Sequence, residues 1–235
     1  LGVHCTDEER LVRTLLRNRG TLLALGTAVP APGRYRPIIR DTLATLKGGL
    51  ASPEAQEALL DAVLDTDAAE RVVFSNEFFL GMPIRAVGEV GLLPGIGWRA
   101  AAIGNLFPDS VNEFHIAMRN PATLIPALIA KSPGGSYGAL MGDNHPMSVR
   151  WLSAIRRLIG QNPEARIVVW CYEDLPVIWP EVLRSMAGVG FDVALEGDHD
   201  IAQSVMTPAG FAKMQAFIAE HPPRTIAARR KIVTA

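Results

Sequence analysis

Apolar residues fall at helical spacing near the start of the chain, where Leu11, Val12, Leu15 and Leu16 share one face. Thr6 and Glu9 precede them as a capping-box pair. This predicts a helix over about 7–19, with Asp7, Glu8 and Glu9 in its first turn. Pro30, Pro32 and Gly33 read as a loop, followed by a helix carrying Ile38, Ile39, Thr42, Leu43 and Leu46. Ser52-Pro53-Glu54 reads as a helix start, with Leu59, Leu60, Val63 and Leu64 as its apolar stripe. Three short apolar runs read as strands: 71–75, 113–118 and 166–170, the last buried on both faces. Between and after them, helices are expected over 95–107, 121–131, 146–159, 180–187 and 208–219, with a final basic helix from near Arg224. Gly-rich 133–138 reads as a loop. Strands alternating with helices imply an α/β fold, with a mainly parallel sheet carrying helices on both faces.

The length of 235 residues and a 49% hydrophobic content suit one α/β domain over 1–235. A formal net charge of −1 supplies no general attraction to nucleic acid or an anionic membrane, so neither is expected as a partner. Two cysteines make no disulfide framework and fit a reducing, cytoplasmic setting. No apolar run is long enough to span a bilayer, and no signal peptide is evident. The chain opens without methionine and stops within a helical pattern, so further residues are expected at both ends, with Leu1 ending a first strand.

The strand 113–118 runs into Arg119-Asn120-Pro121, which opens the next helix. Ligands of open α/β sheets gather at such strand ends, and the planar guanidinium of arginine suits phosphate or sulfate. Two readings of Arg119 stand side by side: contact with an anionic ligand, or an ion pair with an acid such as Glu173 or Asp174.

Three segments together resemble the sulfotransferase-like branch of P-loop proteins. Leu106-Phe107-Pro108-Asp109 through Arg119-Asn120-Pro121 is similar to that family's strand and its Arg-Asn-Pro or Arg-Asp-Pro turn. The segment 166–175, ending Tyr172-Glu173-Asp174-Leu175, is similar to its late strand. The opening carries a strand end, a turn, a long helix with Leu15-Leu16-Arg17-Asn18-Arg19, then Gly26 and Pro30. The resemblance implies a three-layer sandwich and a 3′-phosphoadenosine 5′-phosphosulfate cofactor, with the phosphosulfate on the first strand-to-helix turn. It implies transfer of a sulfuryl group to a hydroxyl or amine, with a small molecule or carbohydrate as acceptor. By position, Arg119 would take the 3′-phosphate. Two departures stand out. The family's Lys-Ser/Thr-Gly-Thr-Thr turn reads His4-Cys5-Thr6-Asp7-Glu8-Glu9 here, and its serine eight residues after the arginine is Ala127.

On this resemblance Glu77 is the candidate general base, and His4 the cation replacing the missing lysine. Cys5 and Thr6 would offer backbone donors to the sulfate end. Simpler readings are a capping or surface acid for Glu77, a packed strand-end histidine for His4, an ordinary thiol for Cys5 and a helix cap for Thr6. First-turn acids would compete with an incoming anion for the helix dipole. Asp143-Asn144-His145 and Asp198-His199-Asp200 hold metal-ligand residue types without a spaced partner set, so no metal is expected. Trp151, Trp170 and Trp179 read as core, and Arg224, Arg229, Arg230 and Lys231 as a solvated helix face. Two function classes follow: a sulfotransferase, or a binding or scaffolding protein that keeps the fold without its donor site. A different P-loop transferase is the weakest, since the full Gly-x-x-x-x-Gly-Lys-Ser/Thr motif is missing.

Overall fold

The computed structural model describes residues 2–66 and 68–234, so the strand end expected at Leu1 lies outside the described residues. The helices are α1 (Arg10–Arg17), α2 (Arg19–Ala24), α3 (Pro32–Leu46), α4 (Pro53–Val63), α5 (Ile96–Gly104), α6 (Pro121–Lys131), α7 (Tyr137–Met141), α8 (Trp151–Gln161), α9 (Leu175–Ala187), α10 (Asp200–Val205), α11 (Pro208–Glu220) and α12 (Ile226–Thr234). The strands are β1 (Thr27–Ala28), β2 (Arg71–Val72), β3 (Val87–Gly88), β4 (Gly91–Leu92), β5 (Glu113–Met118) and β6 (Arg166–Cys171). The fold is mixed α/β. Among the described residues the strands pair in twos: β1 with β2 in parallel, β3 with β4 antiparallel, and β5 with β6.

The chain forms two compact units that interleave in sequence. The first comprises Leu1–Glu8, Pro30–Asp67 and Phe74–Trp170. Its larger core gathers Leu92, Ile96, Ile116, Leu124, Leu128 and Leu158. A second cluster holds Tyr35, Ile39, Leu59, Val63, Phe79 and Leu106. The predicted β5 and α6 form with the expected bounds. Asn120 caps α6 by accepting from the Ala122 amide at 2.9 Å, and Pro121 occupies the first turn, where its missing N–H leaves no bond unmade. Ser52 caps α4 in the same way. Strand β6 departs from expectation. Val169 is 42% exposed, because β6 pairs only with β5 among the described residues and so forms an edge. The expected helix over 146–159 also divides: 146–148 is a single 3-10 turn, Val149 and Arg150 leave helical geometry, and α8 begins at Trp151.

The second unit comprises Glu9–Val29, Ala68–Val73 and Cys171–Ala235. Leu11, Val12, Leu15 and Leu22 are buried, as are Trp179, Val182, Leu183 and Ala187. The strand expected over 71–75 pairs only at Arg71 and Val72, after which the Val73 amide donates to Ala28. Pro30 lacks the N–H that would continue the ladder. In the first unit, the backbone of Ser75 turns instead to the Tyr35 hydroxyl, which accepts from its amide at 2.9 Å and donates to its carbonyl at 2.6 Å. Helix α9 begins at Leu175, five residues before the expected Pro180, with Pro176 taking the first-turn position.

The basic C-terminal face is not uniformly solvated. Arg229 is buried, its guanidinium 4.2 Å from the ring centre of Phe191, and Arg230 pairs with Glu181. The centre of this unit is Arg184, buried and clamped by both carboxylate oxygens of Asp198 at 2.7 Å. It also donates to the carbonyls of Pro180 and Val193.

Two stability outcomes follow. Gly97 of α5 faces α8 so closely that a Cβ would lie 2.6 Å from the Arg157 carbonyl oxygen. Gly97→Ala gains about 1 kcal/mol of helix propensity but overpacks a backbone contact worth roughly 1–3 kcal/mol. The net effect expected in urea unfolding is destabilisation. Asp198→Asn leaves the Arg184 charge buried without its carboxylate and should lower unfolding free energy by about 3–5 kcal/mol, read by the same titration.

Candidate functional site

Gly2 brings the chain start against the segment that carries Glu77. Its amide donates to the Asn76 carbonyl at 3.2 Å, and a Cβ there would lie 2.6 Å from the Glu77 nitrogen, which only glycine avoids. Two residues on, His4 is 1% exposed. Glu77 opens a one-turn 3-10 helix, Glu77–Leu80, capped by Asn76 accepting from the Phe78 amide and closed by Gly81. The His4 ring spans this turn from end to end: Nδ1 lies 3.3 Å from a Glu77 carboxylate oxygen, and Nε2 lies 2.8 Å from the Gly81 carbonyl. Both neighbours are acceptors, so either ring N–H has a partner. Phe78 contacts the ring edge-on, at 5.6 Å between centres.

Lys131, the last residue of α6, pairs with the same Glu77 oxygen that faces His4. Partial burial pushes the Glu77 carboxyl up. The hydrogen bonds and charges of Lys131 and His4 outweigh it and hold the carboxyl below its ordinary value. Arg119, at the end of β5, donates from Nη1 to the Cys5 carbonyl at 2.6 Å and from Nε to the Thr123 hydroxyl at 3.1 Å. Its own carbonyl accepts from the Trp151 indole at 2.7 Å. Burial pushes the Cys5 thiol up, and the nearby Lys131 and Arg119 charges offset this only in part, so Cys5 stays a neutral thiol.

His4, Cys5, Glu77 and Arg119 are thus neighbours, each contacted from within the first unit. Thr6 does not cap a helix: its hydroxyl donates back to the Val3 carbonyl at 2.7 Å. Helix α1 starts at Arg10 and has no acidic residue in its first turn, which corrects the placement of Asp7, Glu8 and Glu9. Cys5, Glu8 and Glu9 have φ of 61°, 50° and 65°, so the backbone leaves helical geometry before α1 can extend backward. Glu9 is the N-cap residue of α1, so an acid still stands at the positive end of that helix, outside its first turn. Lys131 escaped the sequence reading. Its only signal is a cation in the last turn of a helix, a placement the helix dipole favours anywhere.

Several of the other metal-type residues are engaged within the fold, though the buried His199 Nδ1 is not. His145 Nδ1 accepts from the Met147 amide, Asp198 holds Arg184, and Asp200 pairs with Arg17. Among the described residues no group of three His, Cys, Asp or Glu is placed to hold a metal ion. Among them, too, no helix is long and apolar enough to cross a membrane.

Chemically, the site is one carboxylate between a lysine and a histidine ring, beside a turn whose carbonyl is held by an arginine. A base must accept a proton from a substrate, and a carboxylate held below its ordinary range by two cations accepts one poorly. The arrangement also sets a pH dependence. A depressed folded-state carboxyl stabilises the fold above the ordinary glutamate value near 4.3, and that contribution is lost as pH falls through the lower folded value. Glu77→Gln should therefore cost about 1–3 kcal/mol near neutral pH, chiefly by leaving buried His4 without its carboxylate, with a smaller part from exposed Lys131. It should also flatten the loss of stability on acidification, measured as urea midpoints across the acid range. Searches against protein-family models, curated proteins and solved structures returned no match to this chain.

Proposed function

We propose that this protein is a binding protein on a sulfotransferase-like α/β scaffold, in which the donor and base positions have become a structural ion cluster. The observation that carries this reading is the pairing of Glu77 with both Lys131 and His4. Sulfuryl transfer to a hydroxyl needs a carboxylate available to the acceptor proton, and this one is engaged from two sides. The contact of Arg119 with the Cys5 carbonyl supports the same reading. It fixes a carbonyl oxygen, which repels anions, in the turn where the family resemblance would put phosphate. On this scaffold the sheet and its helices would form the family's three-layer sandwich, with the cluster at the strand ends.

A second reading rests on the same cations. Lys131, His4 and Arg119 surround the Cys5 turn, and together they could replace the missing loop lysine as a binding site for 3′-phosphoadenosine 5′-phosphosulfate. Isothermal titration with adenosine 3′,5′-bisphosphate separates the two. The binding-protein reading expects no nucleotide binding that depends on Arg119 or Lys131. Saturable binding that is lost in both Arg119→Ala and Lys131→Ala would establish the second reading instead.

A further inference from the structure

Behind the Glu77 turn, the first unit opens a cleft of about 550 Å³ between α3 and α5, reaching the end of α8 at Gln161. That volume suits a drug-sized or monosaccharide-sized ligand. Its apolar lining includes Leu43, Phe79 and Ile103. Trp98 lies on it with 56% of its surface exposed, although large aromatic side chains bury readily when a fold offers cover. The Arg99 guanidinium lies over the Trp98 ring, 4.4 Å from its centre. Lys47 stands on the same wall, at the left-handed C-terminal cap of α3.

The charges of this cleft are unbalanced. Among the described residues no carboxylate pairs with Lys47 or with Arg99. Arg99 is half-buried beside a second cation, Arg85, and both burial and that neighbour disfavour its charge. An anion in the cleft would relieve both effects. A flat ring would complete the stack that Trp98 and Arg99 begin, because guanidinium and indole planes both take aromatic partners.

We infer that the cleft lined by Lys47, Trp98 and Arg99 binds an aromatic anion, a flat ring carrying a sulfate, phosphate or carboxylate group. This names a ligand for the binding role proposed above, and it rests on that reading only in calling the ligand retained rather than transformed. The cleft is joined to the ion cluster through Gly81. The Gly81 carbonyl holds His4, while a Cβ at Gly81 would lie 3.2 Å from the Arg99 guanidinium carbon. An occupant therefore sits one residue away from the His4–Glu77 contact.

The test is titration of the full chain with 2-naphthyl sulfate, read by calorimetry and by tryptophan fluorescence, with 2-naphthol and inorganic sulfate as separate arms. Saturable binding of the ester is expected, with each half-ligand weaker by about tenfold or more, the worth of one charge-assisted contact or of one good stack. Lys47→Ala should weaken the ester by about tenfold and leave 2-naphthol binding unchanged, whereas Arg99→Ala should weaken the ester by about tenfold or more and naphthol to a smaller extent, since Arg99 supplies both charge and a stacking plane. Arg99→Lys should fall between, since it keeps charge and loses the planar fork. Trp98→Ala should weaken ester and naphthol alike and remove the fluorescence response. Unchanged circular dichroism and unfolding midpoints keep the variants interpretable, as all three side chains are exposed or half-buried. The inference is overturned by no ester binding at millimolar concentration, by equal affinity for ester and naphthol, or by an unchanged Lys47→Ala/Arg99→Ala double variant. The variants keep these outcomes distinct from the nucleotide titration: bisphosphate binding lost in Arg119→Ala and Lys131→Ala overturns the donor-loss reading and leaves the aromatic-anion site standing, whereas bisphosphate binding lost only in Lys47→Ala and Arg99→Ala belongs to this cleft.

Discussion

One carboxylate organises the first unit around the chain start. Glu77 takes Lys131 from the end of α6 and His4 from the N-terminal segment, and so ties together three stretches distant in sequence. None of these contacts would be strong at an open surface, where ion pairs contribute about 0–1 kcal/mol. Burial changes the balance. His4 is shielded from water, so a lost partner there leaves a buried polar group without compensation, which costs more than the contact itself contributes. The cluster thus acts more as a constraint on alternatives than as a large source of stability. It holds the N-terminal segment where it lies, because there the buried His4 ring faces the Glu77 carboxylate and the Gly81 carbonyl.

The same constraint explains how the turn after His4 tolerates its backbone. Cys5 and Glu8 adopt left-handed φ without being glycine, a state costing on the order of 1–3 kcal/mol at each residue. Such residues persist only where surrounding contacts over-determine them. Here the Cys5 carbonyl is held by Arg119, and Thr6 is held by Val3. Arg119 is in turn fixed by its place at the end of β5 and by the Trp151 indole on its own carbonyl. An arginine that reads in sequence as a ligand contact thereby gains a structural task within the turn.

The elements with strong local signals were legible. Strand β5 and helices α4, α6 and α11 have clear apolar patterns flanked by Asn, Ser or Thr caps and proline, and local chemistry fixed their starts. The failures share a cause. The residues 71–75 have strand composition, but pairing depends on what β1 can offer, and β1 stops before Pro30. Thr6 and Glu9 have the capping-box spacing, but Glu8 and Glu9 are left-handed, and a box needs helical geometry in the residues that follow its N-cap. Proximity was the least visible property of all. Lys131 meets Glu77 across 54 residues, and nothing local to either position announces the other.

Within the first unit, the cluster and the cleft behind it are coupled through so few atoms that they cannot be independent in chemistry. The turn Glu77–Leu80 contributes its first carboxylate to the cluster and Phe79 to the cleft wall, and Gly81 closes it with one carbonyl on His4. A one-turn 3-10 helix has little internal stability of its own, since its hydrogen-bond geometry is poor and its length short. Its conformation is therefore set by what grips its two ends. On one side the grip is ionic, through Lys131 and His4; on the other it is the packing of Phe79 in the buried cluster with Tyr35 and Leu106. A ligand pressing on Phe79 acts on the same turn that holds Glu77, and any weakening of the ion cluster loosens the cleft wall. Any coupling between the ion cluster and an occupant of the cleft through this turn would be reciprocal, whichever formed first.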